Sequence, residues 1–445
     1  MTAPVRAGTP SGPGAADPVR TRRAAWRTTW LLLGFMLINF ADKTVLGLAA
    51  TPMMQDLGIT HAQYGEASSA FFALFSLSAL GVSVLAKRVR SSTLLLLMAL
   101  LWSAAQLPLL ANVGFGVLVA TRVLLGAAEG PAFPVAVHSL FSWFPDRERT
   151  LPVSVLTLGA AAGVAVSAPL LTAVIDDLGW HWAFGLVGLV GLAWAACWAR
   201  FGAEGPEPVL TAPAPPAAEG TPDVPLRRIL LTGTWIAAAL GCFAAYWQLS
   251  SGLTWTADYL EQGLGVSTRE TGVLIMGAGL TSASVLLGYG FLAQRLRRRG
   301  ASLRRVALFC GAAMVVSGGS VAAFGTTSSL PLKIALMLGP MTLCNVVLAM
   351  AQTACARIAP PRQRGVVLGS LAFVYSLAGV LSPLVVGRLT TGTAHLVDGY
   401  RTGYLVTAVL VTGAGLVALV LLRPERDAAR LGLPVDPTAG PALPG

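Results

Sequence analysis

The sequence predicts an all-α integral membrane protein, with twelve transmembrane helices arranged as two pseudo-symmetric six-helix bundles. Three observations lead to this fold class. Hydrophobic residues make up 55% of the 445 residues and charged residues only 11%, a composition too apolar for a soluble core. Twelve apolar runs follow one another, each long enough to cross a hydrocarbon layer of about 30 Å as a helix. A proline-rich stretch divides these runs into six and six.

The apolar runs set the domain organisation in chain order. We place them at 27–51, 62–86, 92–111, 114–138, 151–175, 181–200, 229–257, 268–293, 304–325, 331–357, 364–388 and 400–422. The first bundle covers 26–201 and the second covers 228–423. The proline-rich linker 202–227 has a composition typical of a flexible or polyproline-like connection. Residues 1–25 lack the apolar core of a signal peptide and are predicted to be a disordered tail, while 424–445 form the C-terminal tail.

Positive charges predict the orientation of the chain in the membrane. Most arginines fall in the N-terminal tail, the linker and the loops of one side, whereas the other side has only Arg269, Lys333, Arg388 and Arg401. We therefore expect a multi-pass protein of the cytoplasmic membrane with both termini in the cytoplasm. The two bundles also show a weak internal sequence repeat, because LAKRVRSS at 85–92 follows the second run and the similar LAQRLRRRG at 292–300 follows the eighth. Such repeats are typical of rocker-type secondary transporters.

Two charges interrupt the fourth run, which reads RVLLGAAEGPAFP at 122–134. A charge at the centre of a membrane helix costs roughly 2.5–3.5 kcal/mol, so such residues persist mainly where they face a polar interior. Arg122 and Glu129 are seven residues apart, which places both side chains on one helical face. Pro131 and Pro134 are predicted to disturb the backbone after Glu129. The adjacent pair at 42 and 43, an aspartate and a lysine, interrupts the first run in the same way.

The depths of these four charges favour a transport site. At the rise of an α-helix, Asp42 lies about 14 Å and Arg122 about 12 Å from the outer ends of their helices, and Glu129 lies about two turns deeper. Two acids beside two bases suit a relay in which protons and an anion compete for the same cations. The alternative is a buried, charge-neutral cluster that only holds the helices together.

Polar residues in the seventh, tenth and eleventh runs are further candidates for the cavity wall. Either they contact substrate or they make ordinary interhelical hydrogen bonds; they are Tyr246, Gln248, Ser251, Asn345, Tyr375 and Ser376. Histidines fall at helix ends or in loops and are expected at the surface, at positions His61, His138, His181 and His395.

Several classes of protein are excluded. The sequence has no phosphate-binding glycine loop with lysine, no zinc-type spacing and no nucleophile elbow, so we expect neither an enzyme nor an ATP-driven pump, and no cofactor. The net charge of +11 does not indicate nucleic-acid binding, because the basic residues lie between hydrophobic runs instead of on one soluble face. The five cysteines lie inside apolar runs and are predicted to be small packing residues. The expected partner is the lipid bilayer, with the chain acting as a monomer.

Over nearly all of residues 27–422 the chain resembles the major facilitator superfamily, and within it the anion:cation symporter family of organic-anion transporters. The most specific matches are Asn39-Phe40-Ala41-Asp42-Lys43 in the first run and Arg122 through Pro134 in the fourth. Supporting matches are Gly179 through Phe184, Trp255 with Tyr259-Leu260, and Ser382-Pro383-Leu384 through Gly387.

The resemblance implies proton-driven movement of a small carboxylate. In similar transporters the acids equivalent to Asp42 and Glu129 take part in proton coupling. The basic residue at Lys43 binds or orients the anion, and the arginine at Arg122 pairs with the acids or the substrate. The remaining predicted substrate contacts are Asn39, Phe40, Phe75, Tyr246, Gln248, Asn345 and Tyr375.

This chain also departs from the family pattern. Lys43 replaces the usual arginine, which exchanges a planar fork for a point charge. Phe40 and Phe75 stand where tyrosines are common, and Ala372 where an asparagine is common. These losses disfavour a sugar acid and favour an aromatic or aliphatic acid. Lys87 and Gln294 replace the usual aspartates of the gating loops.

Three functions follow as hypotheses. The first is uptake of a small organic carboxylate with protons. The second is a proton-coupled efflux antiporter for a hydrophobic metabolite or drug, favoured by Phe40 and Phe75. Against it, Ser167-Ala168-Pro169 stands where antiporters of the superfamily usually carry Gly-Pro followed by further glycines. The third is a transporter-like sensor without flux.

Overall fold

The protein folds as two bundles of six membrane-spanning helices. Its computed structural model describes residues 18–85, 89–145, 148–206 and 224–433, and every regular element in those ranges is helical. The first bundle contains α1 (Pro18–Leu48), α2 (His61–Leu85), α3 (Ser91–Gln106), α4 (Phe115–Glu129, continued by Ala132–Phe141), α5 (Thr150–Leu178) and α6 (Trp180–Phe201). The second contains α7 (Gly233–Asp258), α8 (Thr268–Arg298), α9 (Leu303–Thr326), α10 (Leu330–Met337, continued by Val346–Arg357), α11 (Arg364–Thr391) and α12 (Leu396–Leu421).

These helices are long and apolar enough to cross a bilayer. Eleven spanning segments are recognised in the described residues by length and composition, and they include all of the twelve helices except α2. Because α2 is 25 residues long, it also exceeds the length needed to span. The predicted all-α fold with twelve transmembrane helices is confirmed.

Proline and glycine account for the interruptions within helices. The first segment of α4 ends at Glu129, and its continuation begins after Gly130 and Pro131, where the sequence predicts a disturbance. Pro134 lies in the first turn of that continuation, where no intrahelical partner is required of its nitrogen. The break in α10 contains a short 3₁₀ segment, Pro340–Asn345.

The two bundles meet along three helix pairs, which are α2 with α11, α5 with α8, and α1 with α7. Glycines permit close approach at two of these contacts. A Cβ at Gly47 of α1 would collide with the carbonyl oxygen of Leu253 on α7, and a Cβ at Gly65 of α2 with that of Pro383 on α11. We call the end of the molecule where α1 ends and α2 begins the closed end. The opposite end, where α1 begins and α12 ends, is the terminal end.

The structure corrects several boundaries. Helix α1 begins at Pro18, so residues 18–25, predicted to be a disordered tail, are helical; this stretch is rich in arginine and alanine, which are strong helix formers. The predicted C-terminal tail contains the helix Pro424–Arg430, which is anchored because buried Asp427 accepts hydrogen bonds from the backbone and side chain of Thr234. The rest of the predicted tails, most of the linker (207–223) and Lys87 lie outside the described residues.

The cysteines follow the prediction in part. Four of them are buried, whereas Cys197 is exposed on α6. Its exposure reflects the outer face of α6, where an apolar side chain contacts lipid without penalty.

Candidate functional site

A cavity of about 770 Å³ lies between the two bundles. Its wall combines α1 and α5 of the first bundle with α7, α8, α9, α10 and α12 of the second. Polar groups reach it from Thr44, Gln248 and Asn345, and none of the described side chains that line it is charged. The volume falls in the range of small-molecule sites.

An ion pair between α1 and α4 lies beside this cavity. Lys43 Nζ donates to Glu129 Oε2 at 2.5 Å and to Asn39 Oδ1 at 2.6 Å. Asn39 and Lys43 are four residues apart on α1, so one helical turn brings the amide and the ammonium together. Glu129 is fully enclosed, and the side chain of Lys43 is 9% exposed. The pair therefore holds two opposite charges away from solvent.

Three phenyl rings complete the surroundings of the Lys43 ammonium. The ring centroids of Phe40, Phe71 and Phe75 lie 5.0, 5.9 and 5.5 Å from Nζ, within the range of cation–π attraction. Phe40 also lines the cavity. Phe40 is therefore in contact with both the ammonium group and the cavity.

The other two charges are joined through a third residue. Gln106, the last residue of α3, donates from Nε2 to Asp42 Oδ1 and accepts from Arg122 Nη2 at 2.8 Å. The guanidinium of Arg122 also lies 5.3 Å from the ring centroid of Phe184 on α6. Asp42, Gln106 and Arg122 are all buried. Adjacent residues on α1 thus point to different partners, Asp42 toward Gln106 and Lys43 toward Glu129.

Gln106 is a site residue that the sequence analysis did not single out. The only signal was a glutamine at the end of an otherwise apolar run. Neutral polar residues are common in membrane helices, where they hydrogen-bond between helices, so this signal alone is weak.

The predicted contacts of the second bundle divide into two groups. Gln248 and Asn345 line the cavity; Gln248 donates to the carbonyl of Met341 at 2.7 Å and Asn345 to the hydroxyl of Ser282 at 2.8 Å. Tyr246 and Tyr375 instead pack ring to ring with centroids 5.1 Å apart. Tyr246 also faces Phe72 of α2 at 6.1 Å, so this pair joins the two bundles beside the phenyl rings.

A second polar cluster seals the closed end. Asp258, at the end of α7, accepts from Thr51 Oγ1 at 2.7 Å and from the Tyr400 hydroxyl at 2.5 Å, and it lies 3.1 Å from His61 Nε2. His61 stacks on Trp255. His61 lies at a helix end, as predicted, but its side chain is only 25% exposed, because Asp258 and Trp255 pack against it.

Two bundles that enclose a central cavity, with charged side chains buried between spanning helices, define a secondary transporter. The chain belongs to the Major Facilitator Superfamily, whose family model matches residues 31–383. The predicted family is confirmed, as is the prediction of a transporter in place of an enzyme.

The curated relatives include bacterial transporters that match along almost their whole length. The D-galactonate transporter of Escherichia coli is 28% identical over 94% of this chain and 99% of its own. The hexuronate transporter of Bacillus subtilis is 26% identical, with coverages of 87% and 92%. A probable sulfoacetate transporter of Cupriavidus necator is 25% identical, with coverages of 89% and 94%.

Solved structures share the fold. A bacterial homolog of the human lysosomal transporter Spinster, in an inward-facing and occupied conformation, superposes with a TM-score of 0.76 at 18% identity and covers 94% of this chain and 98% of its own. A D-xylose–proton symporter reaches 0.70 at 14% identity, with coverages of 90% and 99%. At these identities the likeness concerns the fold alone.

Proposed function

We propose that the protein takes up a small organic carboxylate across the cytoplasmic membrane by proton symport, through alternating access of the central cavity. Both termini lie in the cytoplasm, since the terminal end carries most of the arginines. One chain supplies both bundles and the whole cavity wall, so the functional unit is a monomer.

The ion pair between Lys43 and Glu129 carries this proposal. Among the described residues, Glu129 is the one carboxylate within ion-pair distance of Lys43. Once Glu129 binds a proton, the ammonium is left with the Asn39 amide and three rings. A buried cation without a counterion is costly, and an incoming carboxylate removes that cost. A proton on Glu129 and an anion at Lys43 therefore favour each other, which is the requirement for symport.

The shape of the cavity supports access from the cytoplasm in this conformation. Its wall includes Val153 and Ser154, near the start of α5, and Phe291, near the end of α8, and all three lie toward the terminal end. At the closed end, Asp258 and Trp255 are buried against the first bundle. With the termini in the cytoplasm, we infer that this conformation is open inward and sealed outward.

The substrate is an organic acid whose carboxylate reaches Lys43 and whose body lies against the uncharged cavity wall. Phe40 and Phe75 offer ring surface in place of hydroxyl groups, which favours an aromatic or aliphatic acid. The relatives named as galactonate, hexuronate and sulfoacetate transporters support an acid as the cargo.

Counterflow and driven uptake in proteoliposomes test the proposal. The panel is D-galactonate, D-glucuronate, sulfoacetate and benzoate, each measured with and without an imposed proton gradient that is acidic outside. At least one acid should accumulate with the gradient and lose that accumulation when a protonophore is added. Movement of a neutral or cationic compound, with no acid accumulated, would contradict symport of an anion.

Efflux of a hydrophobic compound by proton antiport is the second candidate, favoured by the uncharged lining of the cavity. A deletion strain would then become sensitive to the exported compound, and the gene would restore resistance. In everted vesicles, that compound should enter when the lumen is acidic. Absence of counterflow for every compound would instead favour a sensor without flux.

A further inference from the structure

The arrangement of Asp42, Gln106 and Arg122 places a neutral amide between an acid and a base. The three side chains come from α1, α3 and α4, and all are buried. Arg122 Nη2 donates to Gln106 Oε1 at 2.8 Å, and Gln106 Nε2 donates to Asp42 Oδ1. No direct ion pair between Asp42 and Arg122 occurs in the described part of the chain.

The two partners fix the orientation of the amide. Its oxygen faces the guanidinium and its NH₂ faces the carboxylate; a turned amide would set donor against donor and acceptor against acceptor. Helix α6 also packs closely on α3 at this point. Gly188 of α6 lies so near that an added Cβ would stand 3.2 Å from Gln106 Cβ, so the glycine permits the close packing that limits movement of the Gln106 side chain.

Charge makes the two hydrogen bonds interdependent. A hydrogen bond to an ionised group is roughly twice as strong as a neutral one, and hydrogen bonds in a chain polarise one another. Asp42 Oδ2 has no hydrogen-bond partner among the described residues, so it is the oxygen that can take a proton. A proton there removes the charge that holds the amide, and the bond from Arg122 to the amide oxygen weakens in turn.

We propose that Gln106 is a positioning residue that links protonation of Asp42 to release of the Arg122 guanidinium for the transported anion. This inference rests on the proposed proton symport and adds a second, amide-mediated route to the one at Lys43. With Asp42 ionised, Gln106 holds Arg122; with Asp42 protonated on Oδ2, Arg122 is free to bind a carboxylate. The amide also keeps the acid and base apart, because direct contact would fix Asp42 in its charged form.

The neighbours of Asp42 identify what else acts on it. Lys43 lies on its own helix, Arg122 and Glu129 lie on α4, and Tyr64 of α2 donates its hydroxyl to the carbonyl of Leu46 at 2.5 Å. Helix α7 contributes Leu253 and Thr254 to the small space beside Asp42, and α6 contributes Phe184 through Arg122. Substitutions at Gln106 change the chemistry of none of these groups.

Infrared difference titration of the purified full-length protein in lipid nanodiscs tests this inference without any transported compound. The protonated carboxyl band of Asp42 is assigned by its loss in Asp42→Asn, prepared in each background. In Gln106→Met the acid and base collapse onto each other, and the protonation midpoint should fall by about 1 pH unit or more. In Gln106→Glu the new carboxylate takes Arg122 and faces Asp42, and the midpoint should rise by about 1 pH unit or more.

Ser103→Ala is the matched control, because Ser103 is buried one turn earlier on α3, and its midpoint should stay at the wild-type value. Midpoints unchanged in both Gln106 variants would assign the amide a purely structural role and overturn the inference. If Gln106→Met fails to fold, the nearly isosteric Gln106→Glu decides alone.

Where wild type accumulates an acid, the pH profile of uptake should move in the same two directions. If the Gln106 variants still accumulate the acid with the wild-type pH profile of uptake, the role of Gln106 is overturned and the proposed function stands.

Discussion

The ammonium of Lys43 has one charged partner that competes with an anion, and its other contacts are the neutral Asn39 amide and three phenyl rings. Glu129 occupies it through a charge-assisted hydrogen bond at 2.5 Å, and such bonds contribute about 1.5–3 kcal/mol. The phenyl rings attract the cation by about 0.5–2 kcal/mol without accepting any of its N–H hydrogen bonds. Removing the competing carboxylate and removing the cation should therefore have different consequences.

Glu129→Gln should separate exchange from accumulation. Glutamine is fixed in the neutral form, so Lys43 remains available to the anion while this proton site is lost. Counterflow, which needs no net proton movement, should persist, whereas accumulation driven by an acidic exterior should fall to the part that protonation of Asp42 can drive. Both are measured on the same proteoliposomes. Accumulation at the wild-type level in this variant would show that Glu129 does not couple proton and anion.

Lys43→Ala should weaken both activities together. It removes the cation that faces the carboxylate, and loss of a charge-assisted hydrogen bond corresponds to roughly 10- to 100-fold weaker apparent affinity. Lys43→Arg is the matched variant; it keeps the charge and offers a bidentate fork, so counterflow should be retained. Exchange at the wild-type rate in Lys43→Ala would contradict the assignment of the anion site.

Phe75→Tyr should shift selectivity toward hydroxylated acids. The ring centroid of Phe75 lies 5.5 Å from Lys43 Nζ, so an added hydroxyl would stand beside the bound carboxylate. One hydrogen bond contributes about 0.5–1.5 kcal/mol, or roughly 2- to 10-fold in D-galactonate counterflow relative to benzoate. Phe373→Tyr, on the exposed face of α11, serves as the control. If the ratio of D-galactonate counterflow to benzoate counterflow is the same in Phe75→Tyr and Phe373→Tyr, the predicted role of Phe75 is contradicted.

Among the site residues, the charged ones could be predicted from the sequence, whereas the amide of Gln106 could not. Asp42, Lys43, Arg122 and Glu129 interrupt apolar runs at a cost that demands an explanation. Gln106 carries no such cost. Its partners Asp42 and Arg122 lie 64 and 16 residues away, a relation that helical periodicity does not reveal.

At the scale of elements, the two bundles repeat one capping contact. Glu204, after α6, accepts hydrogen bonds from the hydroxyl of Ser91 and the backbone N–H of Ser92 at the start of α3. Glu425, after α12, accepts from the backbone N–H groups of Leu303 and Arg304 at the start of α9. In each bundle, the chain after the sixth helix thus places a carboxylate on the positive end of the third helix.

Glu204→Gln and Glu425→Gln should each destabilise the protein modestly. A carboxylate at a helix N-terminus contributes about 1 kcal/mol, so the apparent melting temperature in detergent should fall by about 2–4 °C. Fluorescence-detected thermal unfolding measures the shift. Glu66→Gln, exposed on α2, is the control and should melt like wild type. Equal melting of all three variants would show that these caps are not needed.

The helices themselves were predictable, because each is a long apolar run, and the repeat was visible in the loops at 85–92 and 292–300. The caps were not. Glu204 and Ser91 are 113 residues apart, and loop glutamates are unremarkable in a sequence. Likewise, the helix propensity of the arginines and alanines at 18–25 is a weak signal, and the polar composition of the stretch pointed to a tail.

For the whole molecule, the closed end shows what sequence reasoning misses between bundles. Asp258 of the second bundle is bonded to Thr51, 207 residues earlier, and Tyr400, 142 residues later. In the sequence, a single aspartate at the end of an apolar run is typical of a loop. Only the packing of the two bundles shows that Asp258 is buried between them. Under the proposed alternating access this end separates, so its contacts must break in each cycle.

The hydroxyls of Thr51 and Tyr400 donate to the same carboxylate, yet only one of the two bonds crosses between bundles. Thr51 belongs to the short helix Ala50–Leu57 after α1, whereas Tyr400 lies on α12, in the same bundle as Asp258. Opening the closed end breaks the bond from Thr51 and can leave the bond from Tyr400 intact. Thr51→Val should therefore favour the outward-open state, and Tyr400→Phe should not.

The expected shift is large enough to measure. A hydrogen bond to a charged group contributes about 1.5–3 kcal/mol, so Thr51→Val should raise the outward-open fraction relative to the closed one roughly 10- to 100-fold. The reporter is a cysteine introduced at Thr44 in the cavity wall, labelled by a membrane-impermeant maleimide from outside right-side-out vesicles. The parent without Thr44→Cys corrects for labelling of native cysteines such as exposed Cys197. Labelling of the cysteine at 44 should be fast with Thr51→Val and slow with Tyr400→Phe. Equal rates, or faster labelling with Tyr400→Phe, would mean that the bond between Thr51 and Asp258 does not hold the two bundles together at the closed end.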